Sequence, residues 1–215
     1  MAAFDLEEQE QLASMKAWWE KWGNPITAIV VALALVVLGW RGWTWYSVRK
    51  ADEASNIYSM LLIAAEKNDI QKVREASGIL AEKYSGTSYA DLSALLAAQI
   101  QSEAGDKASA KTKLKWAAEK ANDPLMRDLA RLRLAALLVD EKAFDEALKQ
   151  LSVKPAPSFA VRYADLRGDV LSLQGKKVEA RAAYKQALDA VAADKTSSPA
   201  MRGLLELKLD ALGDA

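Results

Sequence analysis

Carboxylate pairs are the residues whose types and spacing could support chemistry here, because the chain contains no His and no Cys. Without these residues there is no imidazole base, thiol nucleophile, disulfide or thiolate metal site. Each pair lies at a predicted turn or on a predicted helix face among Lys and Arg, which is typical of solvated ion pairs. The pairs are Asp140 with Glu141, Asp145 with Glu146, and Asp165 with Asp169.

Motifs for nucleotide binding, hydrolysis or calcium binding are also missing from the sequence: it has no G-x-S-x-G, P-loop, G-x-G-x-x-G or EF-hand pattern. We therefore interpret the protein as a non-enzyme with no catalytic, cofactor-binding or metal site. The 29 basic and 29 acidic residues give a net charge of zero. This balance argues against a nucleic-acid binder, since such proteins usually carry a basic surface.

The elements that position these residues are predicted to be helices. Hydrophobic residues make up 51% of the chain, and Gly (10) and Pro (5) are scarce. Apolar residues recur at three- and four-residue spacing after residue 51, and no alternating strand pattern occurs. Ser88 followed by Asp91 predicts a capping box, and Asp123 and Ser198 each predict a cap before proline. The predicted soluble helices are 52–67, 69–83, 88–104, 107–121, 124–140, 143–152, 157–174, 177–193 and 199–212.

A membrane span is predicted at residues 24–46, after an acidic tail at 1–23 that includes Asp5, Glu7, Glu8 and Glu10. Residues 26–40 carry no charge. Trp22 and Trp40 are about 27 Å apart along a helix, close to the thickness of a bilayer core. Tryptophans cluster at both ends, as expected for interfacial anchors. These predicted anchors are Trp18, Trp19, Trp22, Trp40, Trp43 and Trp45.

An uncleaved anchor fits the flanks of the span better than a signal peptide, because an acidic stretch precedes it and bulky tryptophans occupy the cleavage region. Arg41 is interpreted as a snorkelling side chain, with an intramembrane pairing role as the alternative. Lys16, Lys21 and the amino terminus precede the span, and Arg41, Arg49 and Lys50 follow it. These counts are equal, so the positive-inside rule gives no orientation.

A helical repeat is predicted in residues 47–215, at spacings of 37, 37 and 33 residues. This period is typical of tetratricopeptide-like helical hairpins. The anchor positions are Val73, Ala110, Ala147 and Ala180. Twelve residues earlier stand Leu61, Ala98, Ala135 and Gly168, where small residues let two helices approach. Four residues after the anchors stand Ser77, Leu114, Leu151 and Tyr184.

The predicted fold is therefore all-α: one N-terminal transmembrane helix, then a tetratricopeptide-like α-solenoid of about four degenerate hairpins and a C-terminal capping helix. The consensus aromatic of the first helix is missing, so an ordinary helix bundle is the alternative. The capping helix would cover the last hydrophobic face. Its leucines are Leu204, Leu205, Leu207, Leu209 and Leu212.

Peptide or partner binding is predicted on the concave face of the solenoid, which the first helices of the hairpins line. For each residue on this face, helix packing or ordinary solvent exposure is the alternative. The candidate residues are Tyr58, Leu62, Leu96, Gln99, Arg133, Asp140, Arg162, Asp165 and Asp169.

The ordered combination of acidic tail, Trp-flanked span and degenerate repeats resembles the YfgM family, the ancillary SecYEG translocon subunits of Gram-negative bacteria. The most specific stretches are residues 24–51, 144–148 and 166–169. The resemblance implies a single-pass inner-membrane protein with a cytosolic N-terminus and a periplasmic repeat domain. It also implies association with the translocon and with a membrane-anchored periplasmic chaperone of the prolyl-isomerase type.

The functional hypothesis is that the span lies beside the translocon while the concave face receives emerging client polypeptide or the chaperone, assisting handover of translocated proteins. One alternative is a tethered scaffold for other cell-envelope complexes. Another is a stress-signalling regulator that acts through the N-terminal tail. The membrane lipid is an expected contact in each case, and nucleic acid is not.

Overall fold

The computed structural model describes residues 6–193 and 198–213, and within these residues the chain is helical, with no strand. This confirms the predicted all-α class. Two compact units divide the chain, Met1–Lys50 and Ala51–Ala215. The helices are α1 Leu6–Glu66, α2 Ile70–Lys83, α3 Ser88–Glu103, α4 Lys107–Lys120, α5 Pro124–Asp140, α6 Phe144–Leu151, α7 Ala160–Leu173, α8 Lys177–Ala193 and α9 Pro199–Ala211, with a 3₁₀ turn at Pro157–Phe159.

Helix α1 is continuous through residues 47–51, where the sequence analysis predicted separate helices. The physical reason is that residues 43–66 contain no Gly and no Pro, so nothing in this stretch interrupts the backbone hydrogen bonds. Asp5 of the predicted acidic tail lies outside the described residues, as does the side chain of Glu7.

Four hairpins are built from consecutive helices: residues 51–66 of α1 with α2, α3 with α4, α5 with α6, and α7 with α8. In each, a residue with positive φ stands two positions after the end of the first helix, and these residues are spaced by 37, 37 and 33 positions. The amide of the next residue then donates to a carbonyl five residues back, at 2.8–2.9 Å. This is the Schellman ending, which favours Gly or Asn. The positive-φ residues are Asn68, Gly105, Lys142 and Gly175.

The predicted register of the repeat is confirmed by burial. All four anchor positions are fully buried, and the residues four positions later are buried. The residues twelve positions before the anchors are buried as well. In the fourth hairpin this position is Gly168, where an added Cβ would lie 2.5 Å from Cδ1 of Tyr184. The large ring therefore requires the glycine, whereas hairpins 2 and 3 pair an alanine with a leucine.

Polar contacts join consecutive hairpins at repeated positions. Arg74 forms an ion pair with Asp106, and Lys111 forms one with Glu141. The equivalent residue of the fourth hairpin, Arg181, donates to the carbonyl of Gly213. Each basic residue directly follows a buried anchor, so the same backbone geometry places it against the next hairpin or, for Arg181, against the end of α9.

Two details of helix ends test the sequence predictions. The capping box at Ser88 is wrong, because α3 begins at Ser88 and the carboxylate of Asp91 is buried against other backbone amides. The caps at Asp123 and Ser198 are confirmed, since their side chains accept from the amides of Leu125 (2.8 Å) and Ala200 (3.2 Å).

Helix α9 covers the last hairpin with only part of its predicted leucine face. Leu205 and Leu212 are buried against α7 and α8, and Leu209 is partly buried. Leu204 and Leu207 are 47% and 69% exposed. The predicted leucine face of α9 is therefore only partly used in packing against the last hairpin.

Candidate functional site

The nine predicted binding residues all lie on the first helices of the four hairpins. We call the surface that these helices share the first-helix face; it comprises residues 51–66 of α1 together with α3, α5 and α7. Some of the nine residues lie together in one cleft. Others form hydrogen bonds with a neighbouring helix, and others pack against the core.

A cleft of about 420 Å³ opens between α3 and α5. It contains three predicted residues, Gln99, Arg133 and Asp140. Its base is apolar, since Leu114 and Leu137 line it and are buried. A largely apolar base with a few polar groups around it is the usual composition of a ligand-binding cleft. Residues of the cleft that the sequence analysis did not select are Ala98, Ser102, Glu103, Leu114, Ala136 and Leu137.

The rim of this α3–α5 cleft carries more negative than positive charge. Glu103 and Asp140 contribute two carboxylates, and Arg133 contributes one guanidinium. The Nε2 of Gln99 donates to Oε1 of Glu103 at 2.9 Å, which orients the amide along the rim. A ligand with an apolar side chain and a neighbouring basic group is complementary to this arrangement.

The C-terminal end of the first-helix face is closed by α9. The Nζ of Lys208 donates to Asp165 at 2.6 Å and to both carboxylate oxygens of Asp169 at 2.8 and 2.9 Å. The hydroxyl of Tyr184 donates to Asp169 at 2.8 Å. Burial disfavours the charged ammonium, but the hydrogen bonds to the two carboxylates raise the pKa of Lys208 above its ordinary value. These two predicted binding carboxylates are thus engaged within the domain.

Burial also changes the pKa values of Asp165 and Tyr184, which lie beside Lys208 and Asp169. Burial, aided by the neighbouring carboxylate of Asp169, raises the pKa of Asp165 despite its hydrogen bond to Lys208. Burial and the hydrogen bond to Asp169 likewise raise the pKa of the Tyr184 hydroxyl. Among the described residues, Lys208 is the ammonium that compensates the charge of Asp165 and Asp169.

The N-terminal end of the face is largely core. The ring of Tyr58 contacts that of Tyr89, with centroids 5.7 Å apart, and Leu96 packs against the cluster that contains Leu61 and Leu80. Leu62 is 40% exposed, and Arg162 near the start of α7 is exposed. The packing alternative thus describes Tyr58 and Leu96, while Leu62 and Arg162 face solvent.

The other two carboxylate pairs of the sequence analysis are divided between solvent and inter-hairpin contacts. Glu141 binds Lys111, and Asp145 accepts a hydrogen bond from Nε2 of Gln174 at 3.0 Å. Asp140 and Glu146 are exposed. In the part of the chain that the structure describes, no group of three or more acidic side chains converges on a point that could hold a metal ion.

Two buried carboxylates outside the predicted binding face, Asp91 and Asp128, hold the links between hairpins. Asp91 accepts from the amides of Asn122 (2.9 Å) and Asp123 (3.3 Å), and Asp128 accepts from the amide of Ala156 at 2.8 Å. Burial raises the pKa of Asp91. It also raises that of Tyr163 to about 12, with the nearby Asp128 charge as a second cause. Asp91 and Asp128 are 37 residues apart, which is the spacing of the repeat, and this spacing is the sequence feature that could have identified them.

The apolar part of α1 is the one stretch within the described residues that is long and apolar enough to cross a membrane; its best window has a mean hydropathy of 2.0. Only 6% of that window is buried, unlike the core helix of a soluble protein. All six predicted tryptophan anchors are 49–74% exposed. Lys21 lies 5.9 Å from the Trp22 ring centroid, and Arg49 lies 5.7 Å from that of Trp45. Interfacial anchoring by these side chains stays a prediction.

Comparison with known proteins identifies a family. The model of a tetratricopeptide repeat-like domain matches residues 16–214. A protein of Neisseria gonorrhoeae named ancillary SecYEG translocon subunit is 30% identical over 98% of this chain and 99% of its own length. Proteins of the same name from Haemophilus influenzae (28% identical over 86% of this chain and 90% of its own length) and Escherichia coli (27% over 95% and 96%) are also similar. No solved structure matches the chain significantly.

Proposed function

The chain belongs to the family of ancillary SecYEG translocon subunits, and from this premise we propose that it is a single-pass inner-membrane protein that associates with the SecYEG translocon. The names of the relatives and the apolar part of α1 support this association. A name of this kind denotes assembly with a channel rather than a reaction. We therefore propose a binding function without catalysis.

The binding surface in this proposal is the α3–α5 cleft. The observation that carries it is the apolar base with a charged rim, formed where two first helices of a repeat stack leave a gap. Its volume of about 420 Å³ suits one or two side chains of a polypeptide rather than a large cofactor. The occupant in our proposal is either the emerging client polypeptide or a membrane-anchored periplasmic chaperone of the prolyl-isomerase type, which would then take over the client.

The proposed orientation places the N-terminus in the cytosol and residues 51–215 in the periplasm. A test is protease added to spheroplasts, which should digest the repeat domain while leaving a cytosolic control protein intact. Full protection of the domain would contradict the orientation. Digestion of an N-terminal epitope tag on intact spheroplasts would contradict it as well.

Association with the translocon is tested by cross-linking full-length protein in membranes, solubilising gently and identifying the co-purified chains. A control that carries only residues 1–50 separates contacts made by the membrane helix from contacts made by the repeat domain. We expect translocon subunits with both proteins and the chaperone only with the full-length chain. Recovery of other envelope complexes without any translocon subunit would instead support a tethered scaffold.

A further inference from the structure

One face of α1, at the C-terminal end of its apolar stretch, carries a shallow groove of about 550 Å³. Its lining residues recur at the spacing of one helix face, so they form a continuous strip. Arg41 is the one charged residue of this strip, which also contains two tryptophans. The lining residues are Val37, Trp40, Arg41, Thr44, Trp45 and Val48.

Arg41 lies at the depth of a lipid headgroup when α1 crosses a bilayer. It follows Trp22 by 19 residues, which is about 28 Å along a helix and close to the thickness of a bilayer core. In the part of the chain that the structure describes, the side chain of Arg41 makes no hydrogen bond, ion pair or ring contact. A guanidinium at this depth requires an anionic or hydrogen-bond-accepting partner.

The charged residues closest to Arg41 along α1 are basic. Residues 41–50 contain three basic residues and no acidic residue, and the first acidic residues beyond them are Asp52 and Glu53, about 16 and 18 Å from Arg41 along a helix. At the opposite end, residues 16–21 contain Lys16 and Lys21 but also Glu20. An anionic headgroup at the depth of Arg41 therefore has a basic side chain as its nearest charged neighbour on α1, and basic side chains near a membrane surface attract such headgroups.

We propose that the strip from Val37 to Val48 is a binding site for one anionic phospholipid, with the phosphate held by the guanidinium of Arg41. The inference rests on α1 crossing a membrane and is independent of what the repeat domain binds. Trp40 and Trp45 flank the headgroup and offer indole N–H donors, and Val37 contacts the acyl chain. The hydroxyl of Thr44 donates to the carbonyl of Trp40 at 2.8 Å, so Thr44 shapes the groove and does not donate to the phosphate.

The test is native mass spectrometry of the full-length chain released from nanodiscs that contain equal amounts of phosphatidylglycerol and phosphatidylcholine. Wild-type protein should retain more phosphatidylglycerol than phosphatidylcholine. Arg41→Gln should lower that preference about fivefold, the effect expected for one basic side chain near an anionic surface. Circular dichroism and membrane insertion of the variant should match those of the wild type.

Lys50→Gln is the matched control. It removes the same charge at the same end of the span, but Lys50 lies nine residues from Arg41 and so on the opposite face of α1, beside the ring of Tyr46. We expect its effect to be less than twofold. Equal effects of the two substitutions, or no lipid preference in the wild type, would overturn the proposal. So would an Arg41→Gln variant that keeps its lipid preference but loses a membrane protein partner, since Arg41 would then pair with protein.

Discussion

Between α3 and α5 the first helices leave a cleft with an apolar base, whereas at α7 the acidic residues of the same face are bound by Lys208 of α9. Both regions follow one repeat and were predicted together as a binding face. The two regions differ in the side chains of the helix that packs beside them, which is α5 at the cleft and α9 at the acidic residues. α5 places Arg133 and Asp140 on the rim of the cleft, while α9 directs an ammonium at the carboxylates of its neighbour.

The difference teaches that the period of a repeat locates a surface but does not show whether that surface is free. A helix that ends a stack must satisfy the polar groups of the last hairpin, and α9 does so with Lys208. The open region is thus the middle of the stack. Exchanging features between hairpins 2 or 3 and hairpin 4 tests this comparison.

The largest expected effect is at the tight contact of hairpin 4. Gly168→Ala should lower the free energy of unfolding by about 3 kcal/mol, because its Cβ collides with the ring of Tyr184. The double variant Gly168→Ala with Tyr184→Leu reproduces the alanine and leucine pair of hairpins 2 and 3 and should recover part of this loss. Urea titration of the full-length chain in detergent measures both. A single variant as stable as the wild type would contradict the packing.

The second substitution gives hairpin 2 the leucine that hairpins 3 and 4 have at the same position of the repeat. Gln101 is 0% exposed, and within the described residues neither polar atom of its side chain has a hydrogen-bond partner. The equivalent residues are Leu138 and Leu171. Gln101→Leu should therefore raise the free energy of unfolding by about 2 kcal/mol, since an unsatisfied buried amide is removed. The exposed Gln99→Leu serves as control, and a loss of stability in Gln101→Leu alone would refute this reading.

The third substitution removes the ion pairs between Lys208 of α9 and the two aspartates of α7. Lys208→Met should lower the free energy of unfolding at neutral pH by about 1.5 kcal/mol, because two partly buried carboxylates lose the ammonium that binds both of them. Without Lys208 the pKa of Asp165 rises further, so its protonation on acidification stabilises the variant relative to the wild type. The deficit should narrow as the pH falls. Lys185→Met, at an exposed position of α8, should change little. A deficit that grows on acidification would contradict the account.

The smallest effect concerns the turn of hairpin 3. Lys142 has φ 60°, where hairpins 2 and 4 have Gly105 and Gly175. Lys142→Gly should raise the free energy of unfolding by about 1 kcal/mol, because glycine adopts this backbone conformation without steric strain. Lys176→Gly, one residue after the equivalent turn position, should not stabilise. Equal thermal shifts in the two variants would show that the turn carries no strain.

Much of the fold follows from the sequence because its causes are local. The repeat spacing, the caps at Asp123 and Ser198, and the buried anchors depend on residues that are near in the chain. The continuity of α1 was missed because a change from apolar to polar composition resembles a boundary although no residue breaks the helix.

The sequence predicted less of the candidate site, because whether each of its residues is free or bound depends on partners that lie far away in the chain. The contact of Lys208 with Asp165 joins positions 43 residues apart. The role of Asp91 likewise depends on a loop 31 residues away. Periodicity places each of these residues on a helix face, but it does not reveal which partner reaches it.

The central claim is that the repeat domain binds polypeptide in the α3–α5 cleft. It is tested most directly by a photo-cross-linking residue placed at Gln99 in the full-length chain in membranes, compared with one at exposed Lys185 on α8. The account predicts cross-links from position 99 to emerging polypeptide or to the chaperone, and few from position 185. Equal cross-linking from both positions, or cross-linking from position 185 alone, would contradict it.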